Sequence, residues 1–175
     1  MYPPGMHGKT FQRRLSEYGQ QLRSKQKIRN TYRMSERQFK NWAKAAISSR
    51  EETGEMLVRQ LERRLDNVAY RAGFAQSRDQ ARQIVNHGHI IVNGKKVTIP
   101  SFQIKKGDVV GIREGSKKSK YFSVLMPQWL QNHQPPPWIE LQTDVMAAKI
   151  TGLPVLGESR LDNKDIQAII EFYSR

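Results

Sequence analysis

The spacing of apolar residues changes along this chain from a helical to an extended period, and that change restricts the folds open to it. Before Gly88, apolar residues recur three and four positions apart, the spacing of a buried helix face. The clearest such face comprises Phe39, Trp42, Ala43, Ala46 and Ile47. After Gly88 the sequence IIVNGKKV predicts a β-hairpin, because Asn93-Gly94 tolerates the positive φ angles of a tight primed turn. The pattern therefore predicts an α+β fold.

Capping residues predict where several helices begin and end. Ser35 with Gln38, and Ser77 with Gln80, have the spacing of a capping box, in which a hydroxyl and an amide satisfy backbone N–H groups at a helix start. Gly73 follows a helical stretch and predicts its end, since glycine accepts the left-handed conformation. Two short helices are therefore expected immediately before the hairpin.

Short extended segments follow the hairpin, and we expect them to be strands. They are residues 101–104, 109–112, 122–126 and 138–141. Together with the hairpin they predict a small, twisted antiparallel sheet on which the two short helices pack. The sequence QNHQPPPW (131–138) is expected to be a connector, because proline fixes φ and lacks a backbone donor.

The last helical segment has an apolar face with no local partner. That face comprises Ile166, Ile169, Ile170 and Tyr173, and Asp162 or Asn163 is the expected cap. We expect the segment to pack back against the helical N-terminal third. This predicts two domains. A discontinuous helical domain (1–63 and 153–175) would carry an inserted domain (64–152), whose core is a small α+β module over residues 64–114.

The charge of the chain indicates a polyanionic partner. The formal net charge is +14, and the first 64 residues carry 15 Lys and Arg against 6 Asp and Glu. Such an excess repels itself in the free protein and is neutralised by nucleic acid phosphates. No cysteine is present, and no apolar run reaches the length of about 20 residues that spans a bilayer. We therefore expect no membrane partner and no cysteine-based metal site.

The second of the two short helices offers a candidate RNA-binding face. Arg78 and Arg82 lie four residues apart and so share one side of the helix, while its apolar residues point inward. Ser77 opens the helix, whose free N–H groups and dipole favour a phosphate. His87 and His89 flank the same polar face. They could suggest a metal, but no cysteine or cluster of acids accompanies them, so no metal or cofactor is expected.

Long strings of this sequence resemble one protein family. The string RLDNVAYRAGFAQSRDQARQIVNHGHIIVNGKKVTIP resembles the small RNA-binding module named after the fourth small-subunit ribosomal protein. Other strings are similar to the bacterial form of that ribosomal protein family, and together they cover nearly the whole chain in the family's order. They are YPPGMHG, LSEYGQQLRSKQKIRNTY, SERQFKNW and IIEFYSR.

The resemblance implies a structural constituent of the small ribosomal subunit. It implies a primary binder of 16S-type ribosomal RNA that nucleates assembly, located in a ribosome of the cytoplasm or of an organelle. It also implies contact with the fifth small-subunit protein, a position near the channel through which messenger RNA enters, and an effect on translational accuracy. The residues expected to bind RNA on this basis are Lys9, Arg13, Arg14, Arg23, Lys25, Lys27, Arg29, Arg37, Gln38, Ser77, Arg78, Arg82, Gln83, His87 and His89.

The sequence departs from the family pattern at three places. The family usually has a segment before the PPG stretch, often with zinc-binding cysteines, and this sequence lacks it, naturally or through trimming. Arg33 stands where a glycine commonly follows the tyrosine, so that turn is expected to differ. The stretch 116–134 matches weakly, which puts RNA contacts by its lysines in doubt.

Two other classes of protein share features with this chain. Pseudouridine synthases have a catalytic aspartate after the same Arg-Leu pair, and Asp66 and Asp162 both lie in such triplets. Neither is followed by the small hydroxyl-and-glycine sequence of that site, so an enzyme is not expected. A free RNA chaperone would need only the module and a basic tail, whereas the family strings extend well beyond residues 64–114.

Overall fold

The computed structural model describes residues 15–49, 51–159 and 161–174. Five helices lead to the sheet: α1 (Glu17–Thr31), α2 (Glu36–Ile47), α3 (Thr53–Glu62), α4 (Leu65–Arg71) and α5 (Arg78–Asn86). The remaining elements, in chain order, are β1 (Ile90–Val92), β2 (Lys95–Lys96), β3 (Val109–Ile112), α6 (Glu114–Lys117), a π-helical turn (Tyr121–Leu125), α7 (Met126–Leu130), β4 (Ile139–Gln142), β5 (Ala147–Ile150), a 3₁₀ turn (Leu156–Glu158) and α8 (Asn163–Ser174).

The strands form one five-stranded sheet, and all its pairings are antiparallel. The strand order is β2-β1-β3-β5-β4. The predicted α+β class is therefore confirmed. None of the described helices is long and apolar enough to cross a membrane.

Buried apolar side chains gather in two separate clusters. One cluster lies among α1, α2, α3 and α8, and Phe39 and Leu57 are fully buried in it. The other lies between α4, α5 and the sheet and includes Phe74, Ile90 and Val110. We call them the helical core and the sheet core. Their assignment to a discontinuous domain and an inserted one stays a prediction.

The terminal helix packs against the first helix, as its unpartnered apolar face predicted. Tyr18 and Phe172 bring their ring centroids to 5.6 Å, and the Gln21 amide donates to Glu171 at 3.0 Å. Asp162 caps α8, because its carboxylate accepts from the backbone N–H of Lys164 at 2.9 Å. Helices α1 and α8 are therefore in contact although they lie far apart in sequence.

The capping predictions are confirmed in their main part. Ser35 accepts from the Gln38 backbone N–H at the start of α2, and Ser77 accepts from that of Gln80 at the start of α5. In a capping box the glutamine side chain also accepts from the backbone N–H of the serine, and here both glutamines accept from other donors. The Gln80 amide accepts from the N–H of Gln76 rather than Ser77, and the Gln38 amide accepts from an arginine.

The glycine and hairpin predictions are also confirmed. Gly73 and Gly88 follow α4 and α5 with φ angles of +83° and +74°. Asn93 and Gly94 have φ angles of +50° and +77°, and they join β1 to β2 with Val92 opposite Lys95. A primed turn needs positive φ at both central positions, which this pair supplies.

Two of the predicted strands are wrong. Residues 122–126 are helical, since Phe122 and Met126 are buried four residues apart while Val124 and Leu125 are exposed. Residues 101–104 form only one isolated bridge, between Gln103 and Arg64. Their backbone bonds go to the α3–α4 connection instead, for example from the Leu65 N–H to the Phe102 carbonyl at 2.9 Å. Strand β5 was not predicted, because its Ala-Ala-Lys-Ile sequence carries little alternation.

Candidate nucleic-acid interface

A buried polar cluster joins the helical core to the sheet core. Each oxygen of the Glu62 carboxylate accepts two hydrogen bonds. The Tyr32 hydroxyl and Arg71 Nη2 donate to Oε1, while Asn67 Nδ2 and Arg71 Nε donate to Oε2, the last three at 2.8–2.9 Å. A buried carboxylate that is fully bonded and paired with a guanidinium does not carry the penalty of an isolated charge.

This environment shifts the pKa of two partners of Glu62. Burial, followed by the negative charge of Glu62, raises the pKa of the Tyr32 phenol well above its ordinary value. Burial alone would lower the pKa of Arg71, but the hydrogen bond and the charge from Glu62 outweigh it, and the pKa is raised. Tyr32 therefore stays a hydrogen-bond donor and Arg71 stays a cation.

A second buried ion pair lies beside the first. Arg64 Nε and Nη2 donate to the two carboxylate oxygens of Asp66 at 2.9 and 2.6 Å. The same guanidinium lies 5.6 Å from the Trp42 ring centre and 3.4 Å from the Gln38 amide oxygen, both on α2. The aspartate of the Arg-Leu-Asp triplet is therefore engaged in holding α2 against the start of α4.

Arg78 is held between the two cores rather than projecting into solvent. Its guanidinium carbon lies 4.8 Å from the Tyr32 ring centre and 4.7 Å from that of Tyr70. Its Nε donates to Asn67 Oδ1 at 2.9 Å. The predicted contact of Arg78 with RNA stays a prediction, and the structure shows a side chain already bound to both cores.

Arg82 and Arg33 continue this connection to the surface. Arg82 Nη1 donates to the Arg33 carbonyl oxygen at 2.8 Å and lies 4.0 Å from Asp66. Arg33 has φ +51° and pairs with Asp79 at 2.6 Å. Arg33, at a position where the family commonly has glycine, thus adopts a left-handed backbone conformation. Its carbonyl oxygen accepts the hydrogen bond from Arg82 on the sheet-core side. The sequence predicted a different turn at Arg33 but gave no role to its carbonyl group. The signal was a residue with a side chain at a position that commonly holds glycine.

The cations of α1 lie mostly in intramolecular ion pairs. Lys25 is buried and pairs with Glu36 at 2.6 Å, with Phe172 under its ammonium group at 5.1 Å. Arg29 is 3.3 Å from the same carboxylate. Lys27 pairs with Asp165 at 2.5 Å and remains largely exposed. RNA contacts by these three residues stay predictions.

Other predicted site residues are exposed. Arg23 on α1, Arg37 on α2, and Ser77, Gln83 and His87 around α5 belong to this group. Arg82 of α5 donates to the Arg33 carbonyl just before α2, and Gln38 in the first turn of α2 accepts from Arg64. The first turn of α2 and the polar side of α5 therefore meet at one surface. We call Arg33, Arg37, Gln38 and Arg82 the junction face.

His89 lies partly buried behind the end of α5. Its Nδ1 is 2.9 Å from the Ser116 hydroxyl, and its ring centre is 6.1 Å from that of His87. Burial, followed by the charges of His87 and Arg113, lowers the pKa of His89 below its ordinary value. The imidazole is therefore a neutral hydrogen-bonding group at physiological pH. No group of three or more potential metal ligands occurs among the described residues. Lys9, Arg13 and Arg14 lie outside the described residues.

Comparison with known families identifies the two parts of the chain. Residues 63–110 match the S4 domain, and residues 1–62 match the ribosomal protein S4/S9 N-terminal domain. The S4 match covers α4, α5, β1 and β2. The chain is therefore a protein of the S4-domain class.

Full-length relatives specify the family. Each is a small ribosomal subunit protein uS4. That of Aquifex aeolicus is 46% identical over 181 residues, covering 99% of this chain and 84% of the relative. That of Herpetosiphon aurantiacus is 46% identical over 175 residues (99% and 82%). That of Parabacteroides distasonis is 45% identical over 174 residues (99% and 85%). The chain belongs to the uS4 family of small-ribosomal-subunit proteins, which confirms the family resemblance and the expectation that it is not an enzyme.

Proposed function

We propose that this protein is a structural constituent of the small ribosomal subunit and binds small-subunit ribosomal RNA. Its membership of the uS4 family and its S4 domain support this function. The structural observation that carries it is the junction face, where exposed and half-exposed cationic side chains of two separate cores lie beside the buried ion pairs Glu62–Arg71 and Arg64–Asp66.

The junction face suits recognition of a folded RNA by shape. Folded RNA places its phosphates at fixed positions, and a rigid array of donors can match them without reading many bases. Glu62 with Arg71 ties the end of α3 to α4, and Arg64, paired with Asp66, contacts Gln38 and Trp42 of α2. These bonds hold the two cores together from inside the protein. We infer that the helical core and the sheet core grip different arms of one RNA junction.

Binding to RNA fragments tests the function. The full chain should bind its own small-subunit transcript more tightly than an unrelated structured RNA of equal length. Affinity should fall with salt with a log–log slope of about −0.7 to −0.9 per phosphate contact, because condensed counterions are released. Equal affinity for both RNAs at every salt concentration would overturn the proposal.

Hydroxyl-radical footprinting tests the two-arm grip. Arg37→Ala should weaken protection on one arm of the junction, and Arg82→Ala on another, since the two side chains belong to different cores. If both substitutions weaken the same nucleotides equally, the two-arm arrangement is wrong while RNA binding itself stands.

The finer roles rest on the family resemblance. We propose that the protein binds early and nucleates assembly, that it contacts the fifth small-subunit protein, and that it influences translational accuracy. Lys9, Arg13 and Arg14 would lie near the channel through which messenger RNA enters. The proposed location is the ribosome, in the cytoplasm or in an organelle. Cross-linking these three positions to messenger RNA in assembled subunits, with Lys149 as a control position, tests this proposed location.

A further inference from the structure

The tip of the β1–β2 hairpin carries the only Asn-Gly pair in the sequence. Asn93 and Gly94 are both exposed. Every other asparagine precedes a residue with a side chain; these are Asn30, Asn41, Asn67, Asn86, Asn132 and Asn163. Because glycine has no Cβ, its backbone nitrogen is the least hindered in attacking the side-chain amide that precedes it. Asn93 is therefore the asparagine whose local sequence most favours deamidation.

Deamidation at such a pair needs no reactant other than water. The Gly94 nitrogen loses its proton and forms a bond to Asn93 Cγ, while the bond from Cγ to Nδ2 breaks and ammonia leaves with that proton. Water then opens the five-membered succinimide ring at either of its carbonyl carbons. The products are aspartate and isoaspartate, with no oxidation or reduction. The reaction therefore requires the Gly94 nitrogen to reach Asn93 Cγ.

The conformation of the turn keeps these two atoms apart. The φ angle of Asn93 is +50°. At that φ a residue with a side chain occupies the left-handed region, where ψ is about +30 to +60°. At such a ψ the Gly94 nitrogen lies opposite Cβ across the Cα–C bond of Asn93, whereas ring closure needs both on the same side. Asn93 therefore cannot deamidate while the hairpin stays closed.

Three hydrogen bonds hold Asn93 in this conformation against the start of β3. Its Nδ2 donates to Asp108 Oδ1 at 2.8 Å, and its Oδ1 accepts from the Val109 N–H at 2.9 Å. The Asn93 N–H donates to the Val109 carbonyl at 2.9 Å. The other oxygen of Asp108 accepts from the Lys105 N–H at 2.7 Å, so the acceptor is itself fixed. Opening the turn must break the bonds to both Asp108 and Val109.

We propose that Asn93 is a deamidation site that reacts only when the hairpin opens and that then prevents the original closure. Deamidation replaces Nδ2, a donor, with a carboxylate oxygen that would face Asp108 Oδ1. Like charges directly opposite each other on paired strands are destabilising. In isoaspartate the main chain also gains a methylene group, which shifts the turn out of register with β3. A transient opening thus becomes a lasting loss of the contact between the hairpin and β3.

Peptide mapping by mass spectrometry tests the site and its protection. The full chain is incubated in mildly alkaline buffer, with and without concentrated guanidinium chloride, and deamidation is followed at each asparagine. In guanidinium chloride Asn93 should react faster than Asn86, which is also exposed and precedes His87. In the folded chain Asn93 should react at least about tenfold more slowly, since the reaction requires local opening. Equal rates for Asn93 in the two conditions, or a faster reaction at Asn86 in guanidinium chloride, would overturn the proposal.

Asp108→Ala tests whether the bond to Asp108 controls the opening. The variant removes the acceptor for Asn93 Nδ2 and leaves the Asn-Gly pair intact. In the folded chain Asn93 should deamidate at least about fivefold faster, because one hydrogen bond fewer keeps the turn closed. Its rate in guanidinium chloride should not change. Asp144→Ala, at an exposed position between β4 and β5, is the control and should change neither rate. An unchanged folded rate in Asp108→Ala would overturn the role of Asp108.

Exchanging the two side chains tests the effect of the product. Asn93→Asp imitates the aspartate product and should make hydrogen exchange at the Val109 amide at least about threefold faster, because two carboxylates face each other. Adding Asp108→Asn returns a donor to the pair, and the oxygen of the new amide can still accept from the Lys105 N–H. The double variant should therefore exchange more slowly than Asn93→Asp alone. Equally fast exchange in both variants would show that deamidation does not act through this pair, and the proposed effect on closure would be wrong.

Discussion

Arg71 and Glu62 form a two-point ion pair inside the protein, with Nε to Oε2 at 2.9 Å and Nη2 to Oε1 at 2.8 Å. Glu62 ends α3 in the helical core and Arg71 ends α4 against the sheet core. The pair therefore fixes two separately packed halves at one angle. The proposed recognition of RNA by shape requires that angle to be fixed.

Removing one partner of this pair should be costly. Glu62→Gln leaves the Arg71 charge uncompensated, and we expect a loss of about 3–5 kcal/mol in the free energy of unfolding. Urea denaturation followed by circular dichroism measures it. Glu55→Gln, which removes the carboxylate paired with Arg59 near the surface, is the control and should cost about 0–1 kcal/mol. Similar losses in the two variants would contradict the structural role of Glu62.

Gly73 should tolerate no side chain. Its φ is +83°, and a Cβ would come within 2.7 Å of the His133 ring. Gly94 has φ +77° and open space around it. Gly94→Ala should therefore cost about 1–2 kcal/mol from backbone strain, and Gly73→Ala clearly more. Thermal unfolding of both variants checks this, and equal costs would show that His133 moves aside freely.

Asp165 should make the protein sensitive to acid. Burial, the largest single effect, raises the pKa of Asp165, but the hydrogen bonds from Lys27 and Ser24 and the charge of Lys27 outweigh it, and the pKa lies below 3.8. Stability from a depressed carboxyl pKa is complete above the unfolded value and lost as pH falls through the folded value. As the pH falls below 3.8, the free energy of unfolding should therefore decrease less in Asp165→Asn than in the unsubstituted chain. Urea denaturation across acid pH measures this. Asp144→Asn is the matched control, and identical pH profiles for the three chains would contradict the assignment.

Arg37 should contribute one phosphate contact from the junction face. Arg37→Ala should weaken binding to the small-subunit transcript and reduce the salt slope by about 0.7–0.9. Filter binding across a salt series measures both quantities. Lys149→Ala removes the same charge from β5, outside the junction face, and should leave the slope unchanged. A slope reduced equally by both changes would mean that overall charge alone is responsible.

Arg33 should be replaceable by glycine with little loss of stability. Glycine relieves the strain of φ +51°, while the exposed ion pair with Asp79 that is lost contributes little. We expect Arg33→Gly to change the free energy of unfolding by less than about 1 kcal/mol. Arg33→Val, β-branched at the same φ, should cost more. If glycine destabilises the protein by several kcal/mol, the Arg33 side chain has a larger role than the structure indicates.

Local sequence signals predicted the elements where they agreed with the tertiary contacts. Asn93-Gly94 and Gly73 are examples, because the ability to adopt a positive φ angle is a property of the residue type itself. Residues 122–126 contain the same apolar types as a strand, but Phe122 and Met126 are the two that the sheet core buries. Only the packing partner distinguishes a helical from an extended reading of such a short run.

For the side chains of the candidate site, too, residue type alone did not predict which contacts they make. Lys25 and Arg78 are cations in a strongly basic chain, and their charge alone favoured RNA. Their partners Glu36, Tyr70 and Asn67 are up to 11 residues away along the chain, and Phe172 lies much further. Nothing in residue type separates a cation that neutralises a phosphate from one that neutralises a buried carboxylate.

The sequence by itself determined the α+β class, the caps and turns, the surplus of positive charge and the family, since each depends on residue type at short spacing. Only the tertiary structure decided which cations remain exposed and how the two cores are joined. Those properties depend on distances between residues far apart in the chain, and such distances are set by packing.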